Sequence, residues 1–283
     1  MAGRPLSGSG VASRALGLIL VLQLWPAEVL GQGESGLVAP YVSTVTQDVE
    51  AMLDLAGVGP GDYLIDLGSG DGRIVLAAAR RGAMAHGVEL REDLVAEARR
   101  RARRQGLEDR VSFVQGDIFD APISAATVVT LYLMPEVNIQ LRPRLLAELQ
   151  PGTRVVSNSF HMGDWTPDDR VSGRSSGGLL YWVIPAQVAG RWSVTGPDGD
   201  WRLDIDQSHQ MINAELRDGG RRIHVDEARL DGDRISLVAR QGNHRYALSG
   251  QVDGADMAGF LQIDDGDRQR VTAWSARRSE AAD

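Results

Sequence analysis

The amino-acid sequence predicts a doubly wound α/β domain followed by a small antiparallel all-β domain. In residues 36–150, apolar runs with the length of strands alternate with amphipathic helical segments, and strands separated by helices form parallel sheets. After residue 186, short alternating runs are separated by "PDGD", "RDGG", "LDGD" and "VDGA", which are typical of β-hairpin turns. These observations divide the chain into residues 36–186 and 187–283.

The predicted elements follow one another in the order that such a sheet requires. The first helix lies in "STVTQDVEAMLDLAGVGPGD", which starts with Ser, Thr and Asp and stops at Gly and Pro. Five strands are predicted in "YLIDL", "AHGVEL", "RVSFVQGD", "ATVVTLYL" and "TRVVSNSF", with helices at residues 72–81, in "REDLVAEARRRARRQG" and in "LRPRLLAEL". "TPDDRVSGRSSGGLLYWVIP" predicts a hairpin that closes the sheet, and the later runs predict a small barrel or sandwich.

The first 31 residues have the layout of a secretory signal peptide. Arg4 and Arg14 precede the apolar stretch "ALGLILVLQLW", and small residues precede the predicted cleavage site between Gly31 and Gln32. The eleven residues of that stretch would form a helix of about 16 Å, which is shorter than the ~30 Å core of a bilayer. We therefore expect export to the periplasm or the extracellular space, with membrane anchoring by an uncleaved leader as the alternative.

The composition argues against nucleic-acid and metal partners. The 283 residues carry a formal net charge of -8, whereas phosphate binding needs concentrated cationic side chains. The run "RRRARR" at residues 99–104 is a local exception, but consecutive helical arginines point all round a helix, which predicts a solvated surface. The sequence has no cysteine and five scattered histidines, so it contains no visible zinc motif.

Three acidic residues lie at the predicted carboxyl ends of consecutive strands: Asp66, Glu89 and Asp117. Ligands of doubly wound sheets bind at this edge, where the strand order reverses. The separation between Asp66 and Glu89 also suits a dinucleotide site, but the turn "DLGSGDG" is not G-x-G-x-x-G, because Arg73 replaces the third glycine. Asp66 and Asp71 around the turn suit a cationic ligand rather than a pyrophosphate. The turn therefore disfavours a flavin or nicotinamide oxidoreductase.

The acidic-Gly-x-Gly-x-Gly turn resembles the first motif of the class I S-adenosylmethionine-dependent methyltransferases, which have a Rossmann-like sheet. S-adenosylmethionine carries an ammonium and a sulfonium and no phosphate. The resemblance implies that Asp66, Gly68 and Gly70 contact the methionine portion of this cofactor. It also implies that Glu89 binds the ribose hydroxyls and that Asp117 lies at the adenine edge.

Four stretches extend the resemblance to a group of bacterial and mitochondrial protein lysine N-methyltransferases: "PYVSTVTQDVEAML", "DLGSGDGRIV", "LYLMPEVNIQLRPRLLAEL" and "SNSFHMGDW". The similarity covers residues 38–165. The mitochondrial members of the group act on inner-membrane proteins such as the ATP synthase c subunit. The resemblance therefore implies methylation of a protein lysine, and the predicted export makes an envelope or membrane protein the expected acceptor.

Methyl transfer is an in-line displacement, so the enzyme mainly positions the acceptor and excludes water. A lysine acceptor must lose its proton, and a pocket of aromatic and carbonyl groups lowers the lysine pKa by desolvation. The resemblance assigns four residues to this acceptor side: Tyr41, Tyr132, Asn158 and Trp165. Packing roles are the alternatives, with Tyr41 against the first helix, Tyr132 in a strand and Trp165 over the sheet end. We favour function over packing only for Tyr41 and Tyr132.

Two classes of function remain open from the sequence. One is a methyltransferase that acts on a protein amine, with the β domain aiding substrate capture. The other is an exported, non-catalytic binding protein that keeps the fold, because an extracytoplasmic compartment has no obvious supply of S-adenosylmethionine. The acidic strand ends favour the enzyme, whereas the leader weighs against it.

Overall fold

The computed structural model describes residues 44–172, 177–196 and 199–279. The predicted signal peptide, its cleavage site and Tyr41 lie outside these residues. The described residues form a mixed α/β sheet and a closed β-barrel within one compact unit, which confirms the predicted fold class. Every described helix is too short or too polar to cross a membrane.

The α/β part alternates helices with strands. Its elements are α1 (Thr46–Leu55), β1 (Tyr63–Leu67), α2 (Arg73–Arg80), β2 (Met84–Glu89), α3 (Glu92–Gln105), β3 (Val111–Gln115), β4 (Val128–Leu131), α4 (Pro135–Glu148), β5 (Arg154–Asn158), β6 (Asp169–Val171) and β7 (Leu179–Val183). The strand order is β3-β2-β1-β4-β5-β7-β6; β1 to β5 are parallel, and β7 runs antiparallel to both β5 and β6. The order reverses between β1 and β4, which places the expected ligand-binding edge beside the carboxyl ends of these two strands.

Successive residues of β1 enter opposite layers of the core. Leu64 belongs to the layer formed with α1 and α2, which includes Met52 and Val75. Ile65 belongs to the layer formed with α4, which includes Leu141. Because both faces of the sheet are covered, the central strands are nearly continuous apolar runs in the sequence.

The barrel is an up-and-down meander of eight strands. They are β8 (Gly190–Gly196), β9 (Gly199–Ser208), β10 (Met211–Asp218), β11 (Arg221–Asp231), β12 (Arg234–Gln241), β13 (His244–Asp253), β14 (Asp256–Asp264) and β15 (Gln269–Arg278). Consecutive strands pair antiparallel, and β15 also pairs with β8, which closes the barrel and decides against a sandwich. Buried Trp192, Trp201, Tyr246 and Trp274 belong to its apolar core. The predicted boundary at residue 186 falls between β7 and β8.

The turn between β11 and β12 docks the barrel onto the sheet. Ala186, in the segment between β7 and β8, donates its N–H to the carbonyl oxygen of Gly232 in this turn at 2.8 Å. Gly232 has a φ of +58°, and a Cβ there would lie 2.9 Å from Cα of Gly152 and 3.2 Å from Cγ1 of Val183. The turn therefore needs glycine both for its left-handed backbone and for its close approach to the sheet.

We expect Gly232→Ala to destabilise the protein more than Gly242→Ala. Both glycines lie in hairpin turns with left-handed φ values, +58° and +60°, so both substitutions strain the backbone. Only at Gly232 does the added methyl group meet the sheet, because nothing lies within 4 Å of a Cβ at Gly242. The extra loss in the free energy of unfolding should be about 1–3 kcal/mol, measured by urea denaturation. Equal losses in the two variants would contradict close docking of the turn.

Candidate functional site

A glycine turn (residues 68–72) connects β1 to α2 and is tied to the neighbouring strand. Gly68 and Gly70 have φ values of 83° and 53°, a left-handed conformation that glycine adopts at little cost. The N–H groups of Gly68 and Ser69 donate to the carbonyl oxygen of Val88 in β2 at 2.9 and 3.0 Å. These hydrogen bonds fix the turn at the carboxyl edge of the sheet.

Close packing excludes a side chain at two further glycines. A Cβ at Gly72, whose φ is +79°, would lie 2.7 Å from the ring of Phe113. A Cβ at Gly87 in β2 would lie 2.6 Å from Oγ of Ser69 in the glycine turn. The sequence reasoning missed Gly87, although a glycine inside a strand is a known sign that another backbone approaches closely.

Glu89 joins the glycine turn to the end of β2. One carboxylate oxygen, Oε2, accepts a hydrogen bond from the N–H of Gly70 at 2.9 Å. The other, Oε1, accepts from the N–H of Arg91 at 2.9 Å. The side chain is buried, so these charge-assisted hydrogen bonds hold the carboxylate beside the turn.

Asp66 lies near the end of β1 and is only 2% exposed. Its Oδ1 accepts a hydrogen bond from Oγ1 of Thr130 in β4 at 2.7 Å, a partner that the sequence reasoning did not identify. Burial raises the pKa of the Asp66 carboxyl to about 7; the Thr130 hydrogen bond opposes this shift, and the charges of Glu89 and Asp71 add to it. A cation bound at this edge would favour the ionised carboxylate, so the site suits a cationic ligand.

Aromatic and polar side chains follow the ends of β4 and β5. Half-buried Tyr132 comes directly after β4 and stacks on Phe160, with ring centroids 6.1 Å apart and an interplanar angle of 23°. Asn158, the last residue of β5, is buried, and its Oδ1 accepts a hydrogen bond from Oγ of Ser159 at 2.9 Å. Since the strands are parallel, these residues lie at the same edge as Asp66. The sequence reasoning did not single out Phe160.

The residues of this edge match a known family. A family model described as the ANTKMT methyltransferase domain matches residues 66–169. A protein-lysine N-methyltransferase of Saccharolobus islandicus (strain REY15A) is 43% identical over 132 residues, which cover 46% of this chain and 82% of that protein. The chain belongs to this methyltransferase family.

Two further comparisons show similarity to other methyltransferases. The adenine nucleotide translocase lysine N-methyltransferase of Mus musculus is 41% identical over 132 residues, which cover 46% of this chain and 57% of that protein. The crystal structure of an RNA methyltransferase from Salinibacter ruber, in complex with S-adenosyl-L-homocysteine, is 51% identical with a TM-score of 0.51. That match covers 52% of this chain and 96% of the other. The methyltransferase thus spans little more than half of the mouse relative.

The cofactor of the methyltransferase is S-adenosylmethionine. When bound, it supplies a methyl group on a positively charged sulfur. The buried carboxylates of Asp66 and Glu89 beside the glycine turn fit such a cation, and the non-catalytic alternative is not favoured. The individual roles of Asp66, Gly68, Gly70 and Glu89 towards the cofactor stay predictions.

In the part of the chain that the structure describes, no group of three or more His, Cys, Asp or Glu residues is placed to hold a metal ion.

Asp117 does not lie at a strand end, because β3 ends at Gln115. Its side chain is exposed, and Oδ1 accepts a hydrogen bond from the N–H of Phe119 at 2.9 Å. This contact caps the turn that follows β3. The expected role of Asp117 at the adenine edge therefore stays a prediction, and the structure gives its carboxylate a local function in the turn.

Asp71, which the sequence predicts to suit a cationic ligand together with Asp66, pairs with two arginines of the chain. Its carboxylate pairs with Nη2 of Arg73 at 2.7 Å and with Nη1 of Arg101 at 2.7 Å. Arg99 donates from Nη2 to the carbonyl oxygen of Phe113 at 2.6 Å. The arginine run of α3 is therefore not simply a solvated surface, because two of its members fasten the helix to the glycine turn and to β3.

Trp165 lies between the sheet and the barrel. It is 1% exposed, with its ring centroid 5.8 Å from that of Trp182 and 5.6 Å from that of His209 in the barrel. Its indole N–H donates to Oε1 of Gln210 at 2.9 Å. These contacts agree with the packing alternative that the sequence left open, and the place of Trp165 in the acceptor pocket stays a prediction.

Proposed function

We propose that the methyltransferase transfers the methyl group of S-adenosylmethionine to the side-chain amine of a lysine in a protein. The observation that carries this proposal is the 43% identity to the protein-lysine N-methyltransferase of Saccharolobus islandicus over 82% of that protein. The family model also spans residues 66–169, which include both the acidic cofactor edge and the residues after β4 and β5. The matched range therefore includes the predicted cofactor residues and three of the four residues assigned to the acceptor side.

The chemistry of the acceptor side supports a lysine. An ammonium must lose its proton before it attacks a methyl group, and desolvation lowers the pKa of a lysine. The stacked rings of Tyr132 and Phe160 offer an apolar surface beside the buried Asn158. We propose that these three residues border the lysine side chain, position its nitrogen and exclude water from it.

RNA is the competing acceptor, because the Salinibacter ruber structure is that of an RNA methyltransferase. The charges of this chain favour a protein instead. The net charge is -8, and arginines of α3 make ion pairs and hydrogen bonds within the chain. Arg100, Arg101 and Arg104 all pair with Glu97, whose pKa their hydrogen bonds lower to about 2. The overall negative charge therefore opposes association with a phosphate backbone, which needs concentrated cationic side chains.

The test is methyl transfer from tritiated S-adenosylmethionine to the membrane, soluble-protein and RNA fractions of the source cells. The 283 residues contain no lysine, since all 30 basic residues are arginine, so methyl-lysine found after hydrolysis comes from the added acceptor. We expect tritiated methyl-lysine in a protein fraction, and its loss in a Glu89→Ala variant. Label that appears only in RNA would overturn the proposal.

We also propose that the protein is exported and that its acceptor is an envelope or membrane protein. The supporting observation is the succession of Arg4, Arg14 and an apolar stretch at residues 15–25. The test fuses residues 1–36 to a reporter that works only after export, with Leu18→Arg/Leu20→Arg as the matched control. We expect reporter activity from the fusion with the natural leader and none from the fusion with the substituted leader. A silent reporter in both fusions would favour a cytoplasmic enzyme with a ready supply of cofactor.

A further inference from the structure

The loop after β5 (residues 159–166) forms one wall of the proposed acceptor site. It starts next to Asn158, and its Phe160 stacks on Tyr132, so its position decides where an acceptor is held. This inference therefore rests on the proposed function. Two separate parts of the molecule hold the loop: helix α4 and the turn between β9 and β10 of the barrel.

Helix α4 holds the first half of the loop. Nδ2 of Asn138, a fully buried residue, donates to the carbonyl oxygen of Phe160 at 3.2 Å and to Oγ of Ser157 at 3.1 Å. One turn further along the helix, Nη1 of Arg142 donates to the carbonyl oxygen of Met162 at 2.8 Å. These contacts lie within the segment that the family model covers.

The barrel holds the second half of the loop through two neighbouring residues. Gln210 accepts the indole N–H of Trp165 at 2.9 Å and donates from Nε2 to the carbonyl oxygen of Thr166 at 2.8 Å. The ring of His209 stacks on Trp165, with centroids 5.6 Å apart and an interplanar angle of 16°. His209 has a φ of 54°, which lets the two-residue turn present both side chains to the loop.

These barrel contacts lie outside the part of the chain that the family shares. The family model ends at residue 169, whereas β8 begins at Gly190 and the turn between β9 and β10 follows Ser208. Helix α4 thus holds the first half of the loop, and the barrel adds a second set of contacts to its second half. Because Trp165 is held by both a hydrogen bond and a ring stack, the loop cannot shift without breaking contacts to the barrel.

We propose that His209 and Gln210 are positioning residues of the methyltransferase, which fix residues 159–166 from the barrel and so set the geometry of the acceptor site. The barrel is then a part of the catalytic unit in addition to being a folded module. In the contacts described above, neither residue touches Asp66, the glycine turn or Glu89. Their loss should therefore change the use of the acceptor while leaving the affinity for the cofactor unchanged.

The test compares Gln210→Ala, Gln210→Glu and His209→Asn with the control Asn243→Ala. His209→Asn removes the ring, and asparagine tolerates the left-handed backbone at this position. Gln210→Glu keeps an oxygen that accepts the hydrogen bond from the Trp165 indole, but it loses the N–H that donates to the carbonyl oxygen of Thr166. Asn243 is exposed in the turn between β12 and β13, at the barrel end opposite the loop. It therefore controls for the removal of a side chain from a barrel turn.

The first readout is hydrogen–deuterium exchange of residues 159–166. We expect Gln210→Ala to speed exchange of this loop about fivefold, in proportion to the hydrogen bonds lost, and Asn243→Ala to leave it unchanged. Gln210→Glu should exchange at least as fast as Gln210→Ala, because its carboxylate would also meet that of Asp168, a hydrogen-bond partner of Gln210. The second is calorimetric titration with S-adenosylhomocysteine, in which all four variants should keep the wild-type affinity. Unchanged loop exchange in Gln210→Ala, or an equal effect of Asn243→Ala, would overturn the proposal.

The third readout is the split between kcat and KM for methylation of lysine in the membrane fraction of the source cells. We expect kcat/KM for this acceptor to fall about fivefold in Gln210→Ala, with no change in KM for S-adenosylmethionine. An equal rise in both KM values would indicate general damage and refute positioning. If the wild type methylates no lysine, the proposed function fails, and the exchange experiment still decides whether the barrel holds the loop.

Discussion

Glu89→Ala should weaken binding of S-adenosylhomocysteine by about 1.5–3 kcal/mol, or roughly ten- to 150-fold, the range for loss of charged hydrogen bonds. The carboxylate is predicted to bind the ribose hydroxyls. The carboxylate oxygens of Glu89 already accept hydrogen bonds from the N–H groups of Gly70 and Arg91. The substitution therefore also leaves these two buried or partly buried donors without their acceptor. The measurement is isothermal titration calorimetry, performed well below the melting temperature of the variant.

The matched control for this prediction is Glu97→Ala. Glu97 is also a hydrogen-bonded glutamate of the α/β part, but it lies on α3 and pairs with arginines at the surface. Its removal should leave the affinity for the cofactor product unchanged. Glu89→Gln should be intermediate, because the amide keeps the shape of the side chain and one acceptor. Wild-type affinity in Glu89→Ala would show that Glu89 only supports the glycine turn.

The affinity for S-adenosylhomocysteine should rise with pH up to about 7 and then become constant. Burial raises the pKa of the Asp66 carboxyl to about 7, and the ammonium of the ligand stays protonated in this range, so binding favours the ionised carboxylate. Well below pH 7, each pH unit should change the affinity by about tenfold. Titration calorimetry in buffers with different ionisation enthalpies should detect release of a proton on binding.

Asp66→Asn is the control for the pH dependence. It keeps the size of the side chain and an oxygen that can accept from Thr130, but it cannot ionise. The variant should bind the ligand weakly at every pH and without the rise towards pH 7. A wild-type affinity that is the same at about pH 5.5 and 8 would contradict a role of Asp66 as the cation-binding carboxylate.

The same pKa shift predicts how Asp66 affects stability. Its pKa of about 7 in the folded protein lies above the ~3.9 of an unfolded aspartate, so the folded state binds more protons between these values. The contribution of Asp66 to the free energy of unfolding is therefore greatest below about pH 4, falls as the pH rises to about 7 and is constant above it. Urea denaturation of the wild type and Asp66→Asn across this range measures the difference.

The sheet and the cofactor turn could be predicted from the sequence because their signals are local. Strand and helix periods occupy a few residues each, and the turn "DLGSGDG" places its acidic residue and glycines within seven positions. Parallel strands then bring Asp66 and Glu89 to one edge whatever the details of packing. The family assignment followed from the same stretches, and the comparisons confirm it.

The contacts of Asp71 and Trp165 were decided only by the tertiary structure. Asp71 pairs with Arg101 on helix α3, 30 positions away, and its position in the turn alone does not reveal this partner. Trp165 contacts Gln210, 45 positions away in the chain, across the junction with the barrel. No local pattern encodes either pairing.

By itself, the sequence determined the α/β class, the hairpin-rich character of the second part and the chemistry of the cofactor edge, because hydrophobic period, turn residues and charge are properties of short segments. Only the tertiary structure decided that the hairpins close into a barrel, since closure depends on the pairing of β15 with β8 across the whole second part of the chain. It also decided that this barrel packs through Gly232 and Gln210 against the sheet and its loop. Contacts of this kind depend on where distant segments meet, and their free energy comes from close packing and hydrogen bonds that no single segment contains.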